Sequence, residues 1–160
     1  MAIVVVTSAL VLLMPTLAFA QNPSFIGGNP TINKTISSYN ATLSVSGNVT
    51  GLGNQVTAVY LATTNVTAET TCQNNNGTHS PGQTATFGTT TGHIKYITPR
   101  NGHITFNDTA PLSITVTDAP IDCPGDMIPV ISSATFYDVT LYVQQARTTL
   151  AYNFGNVKDP

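Results

Sequence analysis

The sequence predicts an all-β protein, a two-sheet β-sandwich of about seven or eight strands with an immunoglobulin-like or jelly-roll-like layout. Three observations carry this expectation. Thr takes the place that charge usually holds, with 25 Thr and 9 Ser from Gln21 onward against five Lys/Arg and seven Asp/Glu in the 160 residues. Thr favours strands, and the helix formers Glu, Lys and Arg are nearly absent. Apolar residues recur at period two in successive stretches, and no segment after residue 20 repeats them at the 3.6 spacing of a helix. With no helix to cover a sheet, such strands bury their apolar faces against one another.

Residues 1–20 form an apolar run closed by Ala18, Phe19 and Ala20, which reads as a secretory signal. No Lys or Arg precedes Lys34, so the usual basic start is missing. Cleavage leaves a chain that begins at Gln21; retention makes the segment a membrane anchor. The organisation expected is a signal peptide over 1–20, an N-terminal arm or edge strand over 21–38 and a β-sandwich domain over 39–160. No membrane span is expected after the signal peptide, because no later stretch is apolar for eighteen residues. The address is secreted or extracellular cell surface.

Residues 21–30 hold two prolines and no periodicity, as in an extended lead-in; Ile32 and Ile36 then suggest a short edge strand. Tyr39, Ala41, Leu43 and Val45 share one parity in a strand that Gly47 and Asn48 are expected to end. From Gln55 to Cys72 the even positions, including Val56, Tyr60, Val66 and Cys72, make the better core face. Val59 and Leu61 on the odd face imply burial on both sides or a bulge near Thr63 and Thr64. A polar loop covers 73–83, and strand signal returns at 84–87 and 93–98. Asn101-Gly102 marks a hairpin turn leading into 103–106. Leu112, Ile114 and Val116 alternate with polar residues, Pro120, Pro124 and Pro129 keep 118–130 irregular, and 134–145 is the last strong strand. Leu150, Tyr152 and Phe154 predict a terminal edge strand.

Cys72 and Cys123 are the two cysteines, and export makes a disulfide between them the natural pairing. A loop of 51 residues closed in this way contributes roughly 4 kcal/mol in the chain-entropy picture. It is expected to tie neighbouring or facing strands.

A net charge of −2 with five basic residues provides no phosphate-tracking stripe, so no nucleic acid is expected as a partner. Six Asn-x-Thr sequons, at Asn33, Asn40, Asn48, Asn65, Asn76 and Asn107, are a mild excess over chance and fall at turns or outward parities, which makes them possible N-glycosylation sites. His79, His93 and His103 are too dispersed to share a zinc ion: a hairpin closed between Thr98 and His103 sets His93 opposite Asp108, more than about 15 Å from His103. Asp118, Asp122 and Asp126, spaced by four, lack the interleaved pattern of a calcium loop and read as turn aspartates; Asp138 reads as an edge or bulge residue. Glu69 is the sole Glu and has no partner carboxylate for glycoside hydrolysis, and Ser80 beside His79 has no nucleophile elbow. Neither an enzyme, nor a cofactor, nor a metal centre is expected.

Gly51, Leu52, Gly53 and Asn54 at a turn, the long Thr-rich strand ending in Cys72, the run Pro81-Gly82-Gln83 and the later pair Cys123-Pro124 together resemble small, largely uncharacterised exported β proteins of bacteria and archaea. The likeness spans roughly residues 39–145 and implies a shared fold; it brings no catalytic residues with it. The function expected is a secreted or cell-surface structural or adhesive module, in one version a filament or surface-layer subunit polymerising through its arm. The alternative is a carbohydrate-binding module without catalysis, drawing on Tyr39, Tyr60, Tyr96, Tyr137, Tyr142 and Tyr152 for a stacking platform. Most of these tyrosines share parity with apolar residues and are expected to pack in the core or on a sheet face.

Overall fold

A computed structural model of the chain describes residues 22–80, 82–118 and 121–158; the expected signal segment lies outside the described residues. Its strands in chain order are β1 (Ser24–Phe25), β2 (Thr31–Ile36), β3 (Asn40–Thr50), β4 (Thr57–Thr63), β5 (Asn65–Gln73), β6 (Gln83–Phe87), β7 (Thr90–Thr91), β8 (Lys95–Ile97), β9 (Ile104–Thr115), β10 (Ile128–Gln145) and β11 (Thr148–Val157). Four of them (β1, β2, β3, β9) make one antiparallel sheet and seven make the other, as an all-β sandwich requires.

Register shows that several of these strands are pieces of longer paths. β5 pairs with β6 at Thr70↔Gln83, and β4 meets β7 in unbroken register at Thr63↔Thr90. β10 lies along both β5 and β4, through Tyr137↔Asn65 on one side of the break at Thr64 and Thr140↔Ala62 on the other. β1 and β2 follow one another down the same edge of β3. The eleven strands therefore trace seven paths, three in the smaller sheet and four in the larger, against the seven or eight strands expected.

Where β4 gives way to β5, the inward face changes parity. Val59 and Leu61 are buried in β4, whereas Val66, Ala68, Thr70 and Cys72 are buried in β5. The even face is thus the core face only in the second half, and the bulge alternative describes the first. β10 switches at the same level, from Phe136 to Val139, through Asp138 at φ 50°. The two strands kink together because Thr63 Oγ1 and Thr64 N both donate to the Tyr137 carbonyl, which holds the breaks side by side.

Three further expectations are corrected. β3 does not end at Gly47 but runs to Thr50, and Phe106 fills the space that a Cβ at Gly47 would need. The Asn101-Gly102 turn closes a single bridge, Arg100↔His103, with both central residues at positive φ. Its arms then part, β8 to β4 and β9 to β3, so no ladder sets His93 opposite Asp108. β10 starts at Ile128, inside the stretch expected to be irregular; Pro129 stands opposite Cys72 close to the strand's beginning, where a missing donor is tolerated.

The core lies between the sheets; Phe136 is its largest fully buried side chain, and Leu43, Leu61, Leu112 and Leu141 are fully buried in the same cluster. Residues 22–36 pack on their own domain: Phe25, Ile32 and Ile36 lean on this core while the ladder to β3 holds the backbone. At the seam between sheets, a Cβ on Gly92 would stand 2.9 Å from the Pro111 carbonyl oxygen and 3.0 Å from that of Ala110. Only glycine allows the chain to pass β9 this closely.

Candidate functional site

The disulfide forms as expected between Cys72 and Cys123, with Cα atoms 5.5 Å apart. It does not tie strand to strand. Cys123 belongs to the loop leading into β10, so the bond pins that loop to β5 just before Ile128 takes up its pairing with Gln73.

The sequons separate by face. On the smaller sheet Asn33, Asn40, Asn48 and Asn107 are all exposed and stand on the parity opposite the buried Leu43, Val45 and Phe106. Asn48 and Asn107 line one shallow groove of about 220 Å³. Asn76 is exposed in the loop after β5. Asn65, at the kink, is half-buried, and its Oδ1 is enclosed without a hydrogen-bond partner among the described residues, so its amide is the worst placed for modification.

The titratable residues stay apart. His79 bonds Thr71 Oγ1 through Nδ1 (3.0 Å), His93 donates its backbone N–H to Pro111, and His103 faces Arg100 across the turn. Among the described residues no three His, Cys, Asp or Glu groups converge on a possible metal position. Asp118 accepts from the hydroxyl and the backbone N–H of Thr115 (2.7 and 2.8 Å), and these bonds hold its carboxyl below the usual range against a slight opposing effect of burial. Glu69 is exposed on β5.

Tyr60 does not take the core face that its even position predicts. Because the inward face of β4 is odd, Tyr60 points outward, and so does its cross-strand partner Tyr142 on β10. Their rings stack at 5.2 Å with planes 21° apart. Tyr96, opposite Ala58, is 66% exposed. Tyr152 alone of this group turns toward the core, edge-on to Phe25 and Phe154.

The Tyr60–Tyr142 pair forms a ridge because its neighbours are small: Ala58 and Ala62 flank Tyr60 on β4, and Ala151 on β11 stands opposite Tyr142. On one side of the ridge, toward the kink, a cleft of about 300 Å³ is lined by Thr64, Thr89, Asp138, Thr140, Tyr142 and Asn153 among others. On the other side a cleft of about 410 Å³ is lined by Val56, Ala58, Tyr60, Ile94, Tyr96, Gln144 and Ala146. Asp138 is the sole charged residue among these linings. Its Oδ2 accepts from Thr64 Oγ1 (3.1 Å) and its backbone N–H donates to Asn156 Oδ1 (3.1 Å). Asn153 donates to Thr140 Oγ1 (3.0 Å) and accepts from the Gly155 N–H (2.6 Å). The result is an aromatic bar between two clefts that both expose mainly apolar surface, the one toward the kink also carrying hydroxyl, amide and carboxylate groups.

Gln145, which the sequence reading did not single out, organises the loop beside this face. It is 1% exposed. Its Oε1 accepts from Gly53 N (2.7 Å) and its Nε2 donates to Gly53 O, Gln55 O and Thr57 Oγ1. The signal was available: Gln145 continues the parity of Val139, Leu141 and Val143, and a polar residue on a core parity needs buried partners.

Neither a family model nor a curated protein matches this chain.

Proposed function

We propose that this chain is an extracellular structural or adhesive module, displayed outside the cell, that works by contact and not by chemistry. The observation that carries this reading is the outer face of the larger sheet. Tyr96 (66%) on β8, Val56 (54%) just before β4 and Ile94 (38%) just before β8 are exposed together beside the Tyr60–Tyr142 ridge. Apolar side chains clustered in this way mark an interaction surface, whereas scattered ones do not. The disulfide is compatible with an extracellular site, and no helix among the described residues is long and apolar enough to cross a membrane. Glycans at Asn33, Asn40, Asn48 and Asn107 would leave this face uncovered, since those residues lie on the other sheet.

For the filament version, the arm lies along β3 of its own chain. Subunit contacts would then run through the tyrosine face or the outer edge of β11. The test is saturable binding of the fluorescently labelled chain from Gln21 to intact cells of the source organism. Tyr96→Ser combined with Val56→Ser is expected to abolish binding while leaving the fold intact. Binding indifferent to both substitutions, or a chain that binds no cells and stays monomeric, overturns the reading.

A further inference from the structure

We infer that the outer face of the larger sheet is a binding site for a short neutral oligosaccharide, which lies over the Tyr60–Tyr142 ridge with an end in each cleft. The inference rests on the adhesive reading and names its ligand class.

The lining selects a ligand with both an apolar surface and many hydroxyls. A pyranose ring offers this combination: its C–H face packs on aromatic carbon, and its hydroxyl rim both donates and accepts. In the cleft toward the kink, Asp138 and Asn153 present a carboxylate and an amide beside the Thr140 and Thr89 hydroxyls, whose O–H groups donate to the Asp138 and Thr64 carbonyls and whose oxygens can accept. Among the described residues Thr64 takes one Asp138 oxygen and no group takes the other. These groups are held in place before any ligand arrives, Asp138 by its bulge and Asn156, Asn153 by Thr140 and Gly155. Binding therefore sacrifices little side-chain freedom. In the other cleft, Tyr96 and Ile94 provide a second packing surface and Gln144 a single amide.

Length and charge narrow the class further. Thr140 and Gln144, one in each cleft, are four residues apart on β10, about 13 Å along a strand. This span suits an oligomer better than a single sugar. Asp138 as the sole charge among the lining residues repels uronates and phosphorylated sugars.

The test is calorimetric titration of the chain from Gln21 with cellohexaose, mannohexaose, chitohexaose and an oligogalacturonate of equal length. At least one neutral hexamer is expected to bind, and the oligogalacturonate to bind about tenfold more weakly or not at all. Tyr60→Ser and Tyr142→Ser should each weaken binding by about tenfold. Tyr39→Ser should leave it unchanged, since Tyr39 is exposed but lines neither cleft. Should a ridge variant fail to fold, Tyr96→Ser makes the same comparison at a side chain that is 66% exposed. If no neutral hexamer binds while Tyr96-dependent attachment to cells persists, the ligand class is wrong and the adhesive reading stands. Binding that ignores the ridge substitutions overturns the site. Light scattering that shows dimers dissociated by Tyr96→Ser makes the face a self-interface and overturns the proposal.

Discussion

The ammonium of Lys34, on the edge strand β2 of the smaller sheet, lies 6.0 Å from the centre of the Phe136 ring in the larger one, and its Nζ donates to the Ala134 carbonyl. A charge on an inward parity of an edge strand discourages pairing with other chains. Here it also fastens the N-terminal segment to the opposite sheet, together with the bond from Ile131 N to Ser38 O (2.9 Å). Lys34→Ala should cost about 1–2 kcal/mol in urea unfolding. Hydrogen exchange should quicken at residues 31–36 and stay unchanged in β4; equal quickening in both would show that Lys34 has no local role.

Removal of the arm tests the same architecture more severely. A chain starting at Tyr39 exposes one whole edge of β3 and loses the partial burial of Phe25, Ile32 and Ile36, about 3 kcal/mol or more. It should aggregate, and a synthetic peptide of residues 22–38 should restore solubility by refilling the edge. A truncated chain as stable as the full one would remove the arm from the fold.

Gln145→Leu should destabilise by about 2–4 kcal/mol, because it leaves the Gly53, Gln55 and Thr57 groups without their buried partner. Thermal midpoints measure the loss. A midpoint within a degree or two of the parent would mean that water replaces the amide without penalty.

Cys72→Ser, Cys123→Ser and the double variant should each lose about 2–4 kcal/mol, and the losses should not add, since one bond is broken in every case. Reductant should bring the parent to the same midpoint and leave the variants unmoved.

Acid should release the bonds from Thr115 to the Asp118 carboxylate. Its folded carboxyl titrates below its unfolded value, so its contribution is complete above about pH 4 and disappears as pH falls through the folded value. Asp118→Asn should flatten this part of the stability profile. The side chain is exposed, so the effect is small, and an unchanged acid limb would show that the Thr115–Asp118 bonds do not couple to folding.

Much of the fold was legible because strand periodicity survives wherever a path stays regular: Ala41, Leu43 and Val45, like Leu112, Ile114 and Val116, bury the faces that alternation assigns. The candidate face was not. Its visibility depended on the parity switch at Thr64, and the glycine at that level, Gly155 at φ 70°, stands on β11 and not on the strands that switch. Asp108, Ala110 and Asp138 all take positive φ with ordinary side chains. With a bulge near Thr63 and Thr64 left as one of two alternatives, Tyr60 fell on the supposed core face. The groups gathered around Asp138 come from β10, β11, the β4–β5 break and the segment after β6, a proximity that only pairing across strands creates.

The staple between Cys72 and Cys123 also bears on how such a molecule behaves under tension. If the ends of the chain are pulled apart, strands outside the staple can unravel. The 51-residue stretch that it encloses cannot lengthen, which withholds roughly 170 Å of extensible chain from the applied force. A domain anchored at one end and loaded at the other would thus yield by a limited amount and then stop, as a knotted cord does at its knot.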